Sequence, residues 1–316
     1  MKGMADGGRQ MAKPKAVRHP PSAFWFLALA FCVALLAFVY FRPLTLFFAA
    51  RRVYLALIGM KSEYARVGSH RIHYWVGGEG PPLVLVHGVA MRAEDWAPLF
   101  RILKQHHRVY APDLLGYGDS DQPRDADYSV AMQADIVRGF IDAMHLQQPD
   151  VAGISMGGWI AIKYASEHPE RVKRLVLLSS AGLAYESTLT ENSFSATTIE
   201  EQRASFALQS DLAPRLPDFI LRDVLRHSKA KAWIVRASMR SMLTRADLPL
   251  DGKLQRVRMP VLIVAGTKDR IVPFNVAQRL HRELPQSQLV PLIGCGHLGA
   301  FECRRETMRA VLPFLR

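Results

Sequence analysis

The sequence predicts an α/β protein: a mostly parallel sheet with helices on both faces, an inserted helical cap, and one N-terminal transmembrane helix. Three observations carry this. From residue 63 onward, short apolar runs of strand length alternate with helical patterns, as strand–helix–strand units require. Residues 183–250 interrupt that alternation with helical segments only. Residues 20–41 carry no charge at all.

The uncharged run comes first in the chain. As a helix it spans about 33 Å, against roughly 30 Å of bilayer hydrocarbon. Trp25 and Tyr40 stand near its two ends, where amphipathic rings favour the headgroup level. A single-pass transmembrane anchor is therefore expected over residues 20–42, behind a basic tail at 1–19. Two other readings compete. A cleaved signal peptide would need an apolar region of unusual length, with Ala49-Ala50 as a cutting site, and a buried core helix would be apolar all round. Five Lys/Arg precede the run, and Arg42, Arg51 and Arg52 follow it. That balance favours a cytoplasmic N-terminus by a narrow margin and leaves the side of the main domain open. Residues 43–62 form a second apolar stretch, too short to span. They are expected to lie in the interface as an amphipathic connector or to pack on the domain.

The domain then runs from 63 to 316. RIHYWV (71–76) alternates like a strand, and PLVLVHG (82–88) is a continuous apolar run that suits a strand buried on both faces. RVYAPD (108–113), DVAGIS (150–155), RLVLLSS (174–180), PVLIVAG (260–266) and SQLVPLIG (287–294) read as further strands. Helices are expected at 129–144, with Ser129 as N-cap, at 156–170, stopped by Pro169, and at 302–315. The insertion at 183–250 is too long for a loop and reads as a cap with helices near 198–209, 217–228 and 230–243. Its segment 215–245 carries eight Lys/Arg against Asp218 and Asp223, a solvated face or one that rests on anionic headgroups.

Composition closes off several function classes. With 316 residues, 49% hydrophobic and 22% charged, the chain buries a large core and is not disordered. Cys32, Cys295 and Cys303 match neither a disulfide scaffold nor a zinc site. The net charge of +13 is concentrated near the N-terminus. Residues 1–66 hold ten Lys/Arg against Asp6 and Glu63, and the rest holds 31 against 26. This pattern implies a membrane surface as partner and no nucleic acid.

In parallel sheets, ligands bind beyond the carboxyl ends of the strands. His87, Asp113, Ser155 and Asp269 fall there, with His297 in the loop after the last strand. Gly153-Ile154-Ser155-Met156-Gly157 fits G-x-S-x-G. About one chain in ten of this length carries the pattern by chance, but here a strand runs into it and a helix leaves it, as a nucleophile on a sharp turn requires. A serine hydroxyl needs a base, and the base an orienting acid. His297, in Gly294-Cys295-Gly296-His297, is the candidate base. Asp269, after VLIVAG, is the candidate acid, because the preceding strand ends in Ser179-Ser180-Ala181-Gly182 with no carboxylate. His106, His107, His168, His227 and His281 are expected to be solvated, and Asp113 structural. The backbone N–H groups of Val89 and Met156 are the candidate oxyanion donors. The order Ser155…Asp269…His297 is one of the known triad arrangements.

These segments together resemble the α/β-hydrolase superfamily over residues 63–316. The matching runs are Val86-His87-Gly88, 113–120 (DLLGYGDS), 153–158 (GISMGG), 266–269 (GTKD) and Gly296-His297. The chain is most similar to bacterial lipases and esterases and to membrane-anchored monoacylglycerol-lipase-type serine hydrolases. That likeness rests on the Ser-Met-Gly-Gly elbow, the spacing from His87-Gly88 to Trp96, the run 164–170 (YASEHPE) and the anchor. It implies an α/β-hydrolase fold with cap, a serine carboxylic ester hydrolase acting on lipid-like acyl esters, no cofactor or metal, and a bacterial inner-membrane location. Oligomeric state stays open. Ser155 argues against the aspartate-nucleophile dehalogenases and epoxide hydrolases. Carbon–carbon bond hydrolases usually carry a glycine-rich segment after His-Gly, where this chain has Val89-Ala90-Met91-Arg92. A C–C bond hydrolase, an acyltransferase or a non-catalytic scaffold are the alternatives. Cys295 and Cys303 are expected as free thiols, with a disulfide the alternative outside the cytoplasm.

Overall fold

A computed structural model describes residues 22–210, 215–244 and 249–316. The basic tail 1–19, the first two residues of the expected anchor and Arg245 lie outside the described residues.

The domain is built on an eight-stranded sheet: β1 (Lys61–Val67), β2 (His70–Gly77), β3 (Pro82–Val86), β4 (Arg108–Pro112), β5 (Asp150–Ile154), β6 (Leu175–Leu178), β7 (Val261–Gly266) and β8 (Ser287–Leu292). Their spatial order is β1-β2-β4-β3-β5-β6-β7-β8. The β1–β2 and β2–β4 pairs are antiparallel, and the others are parallel. β3, β5, β6 and β7 are buried almost throughout, which is why they read as unbroken apolar runs. Helices α4 (Val130–Ala143), α5 (Met156–Glu167) and α9 (Phe274–Glu283) pack Phe140, Ile160 and Leu280 onto one face. Helices α3 (Ala97–Leu103) and α11 (Arg304–Leu315), with the short α10 (Gly299–Glu302), pack Phe100, Val311 and Leu315 onto the other. Ser129 caps α4 by accepting the Met132 N–H. The cap comprises α6 (Ile199–Gln209), α7 (Asp218–Lys229) and α8 (Ala232–Thr244).

No strand is expected from the sequence at 61–67, yet the chain forms one there. β1 alternates weakly, with only Ala65 and Val67 buried, and its place is set by pairing with β2. The domain therefore begins at Lys61 rather than at 63. The expected solvation of His107 is also corrected. It is buried, with Nε2 against the carbonyl of Leu315, because the C-terminal helix covers it.

The uncharged run forms α1 (Ser22–Phe41). Its stretch Phe24–Phe41 has mean hydropathy 2.5 and no buried part, so the reading as a buried core helix is overturned. The connector forms α2 (Pro43–Leu57), and it packs on the domain. Leu55 is fully buried, Arg51 pairs with Asp95, and Arg52 pairs with Glu94 and Asp119. The two arginines thus serve the domain rather than lipid headgroups.

The break between α1 and α2 is latched to the cap. Pro43 opens α2, where its missing N–H costs nothing. The next donor, Leu44 N–H, is met by Asp223 Oδ2 of α7 at 2.9 Å. Arg226 donates to Asp223 at 2.7 Å and to the Phe41 carbonyl at 2.8 Å. Tyr40 stacks on Phe219 at 4.9 Å. Asp223 is wholly buried, and a buried donor left unmet costs about 1–3 kcal/mol. Asp223→Ala is therefore expected to lower the melting temperature of the detergent-solubilised protein by several degrees, and Asp223→Asn, which keeps an acceptor for Leu44, by less.

Candidate active site

β5 ends at Ile154, and α5 starts at Met156. Ser155 alone turns the chain between them, with φ 56° and ψ −121°. A non-glycine residue pays about 1–3 kcal/mol to stay in such a region and does so only when its surroundings hold it there. The flanking glycines are the condition. A Cβ on Gly153 would lie 2.2 Å from the Gly157 carbonyl oxygen, and one on Gly157 would lie 2.2 Å from that of Val86. Ser155 is held at the floor of a cavity of about 360 Å³, together with Met156, Val89, Leu183, Met239 and Val272. Among the described residues its hydroxyl makes no hydrogen bond.

Asp269 follows β7 and is buried. Its Oδ1 accepts the N–H groups of Ile271 at 2.8 Å and Val272 at 2.9 Å. Its Oδ2 accepts from His297 Nδ1 at 2.7 Å, in the loop after β8. This fixes the imidazole with Nδ1 protonated and Nε2 as the basic nitrogen. The structure joins Asp269 to His297 directly and draws no hydrogen bond between His297 and Ser155. Such bonds commonly tighten only when a substrate is bound.

Val89 and Met156 both line the cavity. Among the described residues neither N–H donates a hydrogen bond to another group of the chain. The Val89 loop is strained, with Ala90 at φ 58°. It is steadied by His87, whose part in the site the sequence did not disclose. His87 is fully buried, donates from Nδ1 to the Gly88 carbonyl at 2.8 Å, and accepts the Leu114 N–H on Nε2 at 3.0 Å. Burial pushes its pKa down, so the ring stays neutral and both bonds persist.

Asp113 is structural, as expected. It accepts from His73 Nδ1 at 2.7 Å, Ala93 N–H at 2.6 Å and Asp119 N–H at 2.9 Å. Burial opposes its charge, but the His73 bond and the Ala93 N–H outweigh it and bring its pKa down to about 2.

Cys295 and Cys303 correct the sequence reading: they form a disulfide. The turn into α10 brings their Cα atoms to 6.5 Å, within bonding range, and the bond closes the loop that carries His297. Among the described residues no cluster of His, Cys, Asp and Glu is arranged to hold a metal ion.

Comparison with known proteins agrees with this architecture. The chain matches the family described as alpha/beta hydrolase fold over residues 81–224, and that described as TAP-like protein over 238–314. It is 30% identical to a 2-hydroxy-6-oxo-2,4-heptadienoate hydrolase of Pseudomonas putida, over 75% of this chain and 90% of that one. It is 28% identical to Lipase 1 of Psychrobacter immobilis, over 79% and 78% of the two chains. The crystal structure of a membrane phospholipase A, a bacterial virulence factor, superposes with a TM-score of 0.81 at 30% identity, covering 93% of this chain and 98% of that one.

The Asp113 cluster has a consequence for acid stability. The folded pKa lies below the unfolded value near 3.8. The stabilisation is therefore present above pH 4 and is lost as pH falls toward 2, and it amounts to about 2 kcal/mol. In urea unfolding, Asp113→Asn is expected to flatten the fall in stability over that window while lowering stability at neutral pH.

Proposed function

The chain belongs to the α/β-hydrolase family, and on that premise we propose that it is a membrane-anchored serine hydrolase cleaving lipid-like acyl esters of the monoacylglycerol or lysolipid type. The observation that carries this reading is the Asp269–His297 hydrogen bond beside an apolar cavity with Ser155 at its floor.

In this reading His297 Nε2 takes the Ser155 proton as Oγ attacks the ester carbonyl. Asp269 holds the ring in that tautomer and stabilises the imidazolium. The tetrahedral oxyanion is met by the N–H groups of Val89 and Met156. His297 then gives its proton to the leaving alcohol, and water cleaves the acyl-enzyme by the same route. The cavity walls of Leu183, Met239 and Val272 suit an acyl chain. The apolar α1, continuous with a helix packed on the domain, supports an anchor that keeps the site at a bilayer. The Cys295–Cys303 disulfide and the basic tail support an inner-membrane anchor with the N-terminus in the cytoplasm and the domain on the oxidising side.

A second reading, carbon–carbon bond hydrolysis, is favoured by the likeness to the 2-hydroxy-6-oxo-2,4-heptadienoate hydrolase. Product analysis separates the two.

A fluorophosphonate probe is expected to label the membrane fraction through Ser155 and to fail with Ser155→Ala. Enzyme from the same preparation, without the probe, should release free acid and glycerol from long-chain monoacylglycerols faster than it cleaves soluble short esters. Equal turnover of short esters with poor activity at a bilayer would reject the lipid reading. Asp269→Asn, which lets the imidazole take the wrong tautomer, is expected to lower kcat by about 10³–10⁴-fold.

A further inference from the structure

A second cavity of about 300 Å³ lies against the first. Phe194 lines both, and the loop that offers the Val89 N–H to the first cavity continues as Ala90 and Arg92 in the second. Its walls are apolar where α2 contributes Leu44 and Phe48 and where α7 contributes Val224. Into this apolar space come two cations, Arg92 and Lys231.

The arginines around it are ion-paired. Arg52 and Arg92 share Asp119 and Glu94, and Arg51 takes Asp95. Lys231 has no carboxylate partner among the described residues, and its ammonium donates to the Gly118 carbonyl alone. Arg92 Nε is buried without a hydrogen-bond partner. Lys231 is half-buried, and its burial, together with Arg92, pushes its pKa down, against the opposing pull of the more distant Asp113 and Asp119. An ammonium held from water with no carboxylate in hydrogen-bond reach is only partly compensated, and an anion entering beside it supplies the direct partner.

We propose that this cavity is the headgroup subsite for a phosphate-bearing glycerolipid, its phosphate held by Lys231 and Arg92 while its acyl ester lies at Ser155. The inference rests on the ester-hydrolase reading and names the substrate class. Val89 and Arg92 stand three residues apart, at most about 11 Å of backbone. The glycerol between ester and phosphate, together with the reach of the arginine side chain, bridges that gap. The guanidinium fork and the ammonium suit phosphate oxygens, and the apolar walls suit a ligand that arrives from a bilayer. The anchor sets the cavity at that surface, since α2, which walls it, continues directly from α1.

The test uses the full-length protein in non-ionic detergent micelles, with two substrates of the same acyl chain: palmitoyl lysophosphatidylglycerol and monopalmitoylglycerol. The wild type is expected to show a kcat/KM about tenfold higher for the phosphate-bearing lipid, expressed mainly in KM and weakened by salt. Lys231→Met should bring the ratio of the two values close to one, and Lys231→Arg should retain it. Fluorophosphonate labelling reports whether each variant is folded. A wild type without preference overturns the proposal, as does a preference that survives Lys231→Met in a labelled protein. Inorganic phosphate that stimulates cleavage of the neutral lipid, with no headgroup preference, would assign the cavity to free phosphate instead. Should a wild type that takes the probe in a parallel sample cleave neither lipid when unlabelled, the lipid-esterase reading itself fails, an outcome distinct from equal cleavage of both.

Discussion

Everything at the candidate site depends on one backbone turn. Ser155 leaves a buried strand and enters a helix within a single residue, at φ 56°. Strand and helix can meet so sharply only because glycines stand two residues away on either side, where any side chain would strike a carbonyl oxygen. The strain is held by the sheet. β5 is hydrogen-bonded on both sides, to β3 and β6, so the turn cannot relax without breaking the centre of the core. The hydroxyl is thereby fixed at the carboxyl edge of the sheet, open to a cavity rather than bonded to its own backbone.

The other polar groups reach the same edge from strands far away in sequence. Asp269 comes from the end of β7, and His297 from the loop beyond β8. Parallel pairing gives these strands the same direction, so their carboxyl ends share one rim. Two layers of support lie behind this first set of groups. Backbone N–H donors of Ile271 and Val272 fix the Asp269 carboxylate. Neutral His87 ties the Val89 loop to the segment after β4. Each supporting group is buried, where its hydrogen bonds face little competition from water.

The two N-terminal helices are also part of the architecture. Asp223 meets the first free N–H of α2 and the guanidinium of Arg226, which in turn holds the last carbonyl of α1. The cap and the α1–α2 junction therefore meet through a buried carboxylate, and the second cavity opens between α2 and the cap. Displacing α2 would uncover Leu55, break the ion pairs of Arg51 and Arg52 and free Asp223 of α7, so the positions of α2 and the cap are energetically coupled.

The sequence by itself determined the fold class, the order of the parallel strands along the chain, the inserted cap helices and the apolar α1. These follow from local apolar periodicity and from Gly, Pro and Ser at turns, which act over a few residues. It also marked Ser155, Asp269 and His297, because each sits at a strand end with a distinctive neighbour. Tertiary structure alone decided the rest. β1 has too little apolar alternation to declare itself and exists through its partner. Cys295 and Cys303 pair because a turn and a short helix happen to close the distance. The buried states of His87 and His107 depend on what covers them. Asp223 and Lys231 look like ordinary members of a charged helical segment until folding buries one against α2 and sets the other at an apolar cavity, bonded to the Gly118 carbonyl rather than to a carboxylate. Burial and charge pairing are properties of assembled surfaces, and no local pattern encodes them.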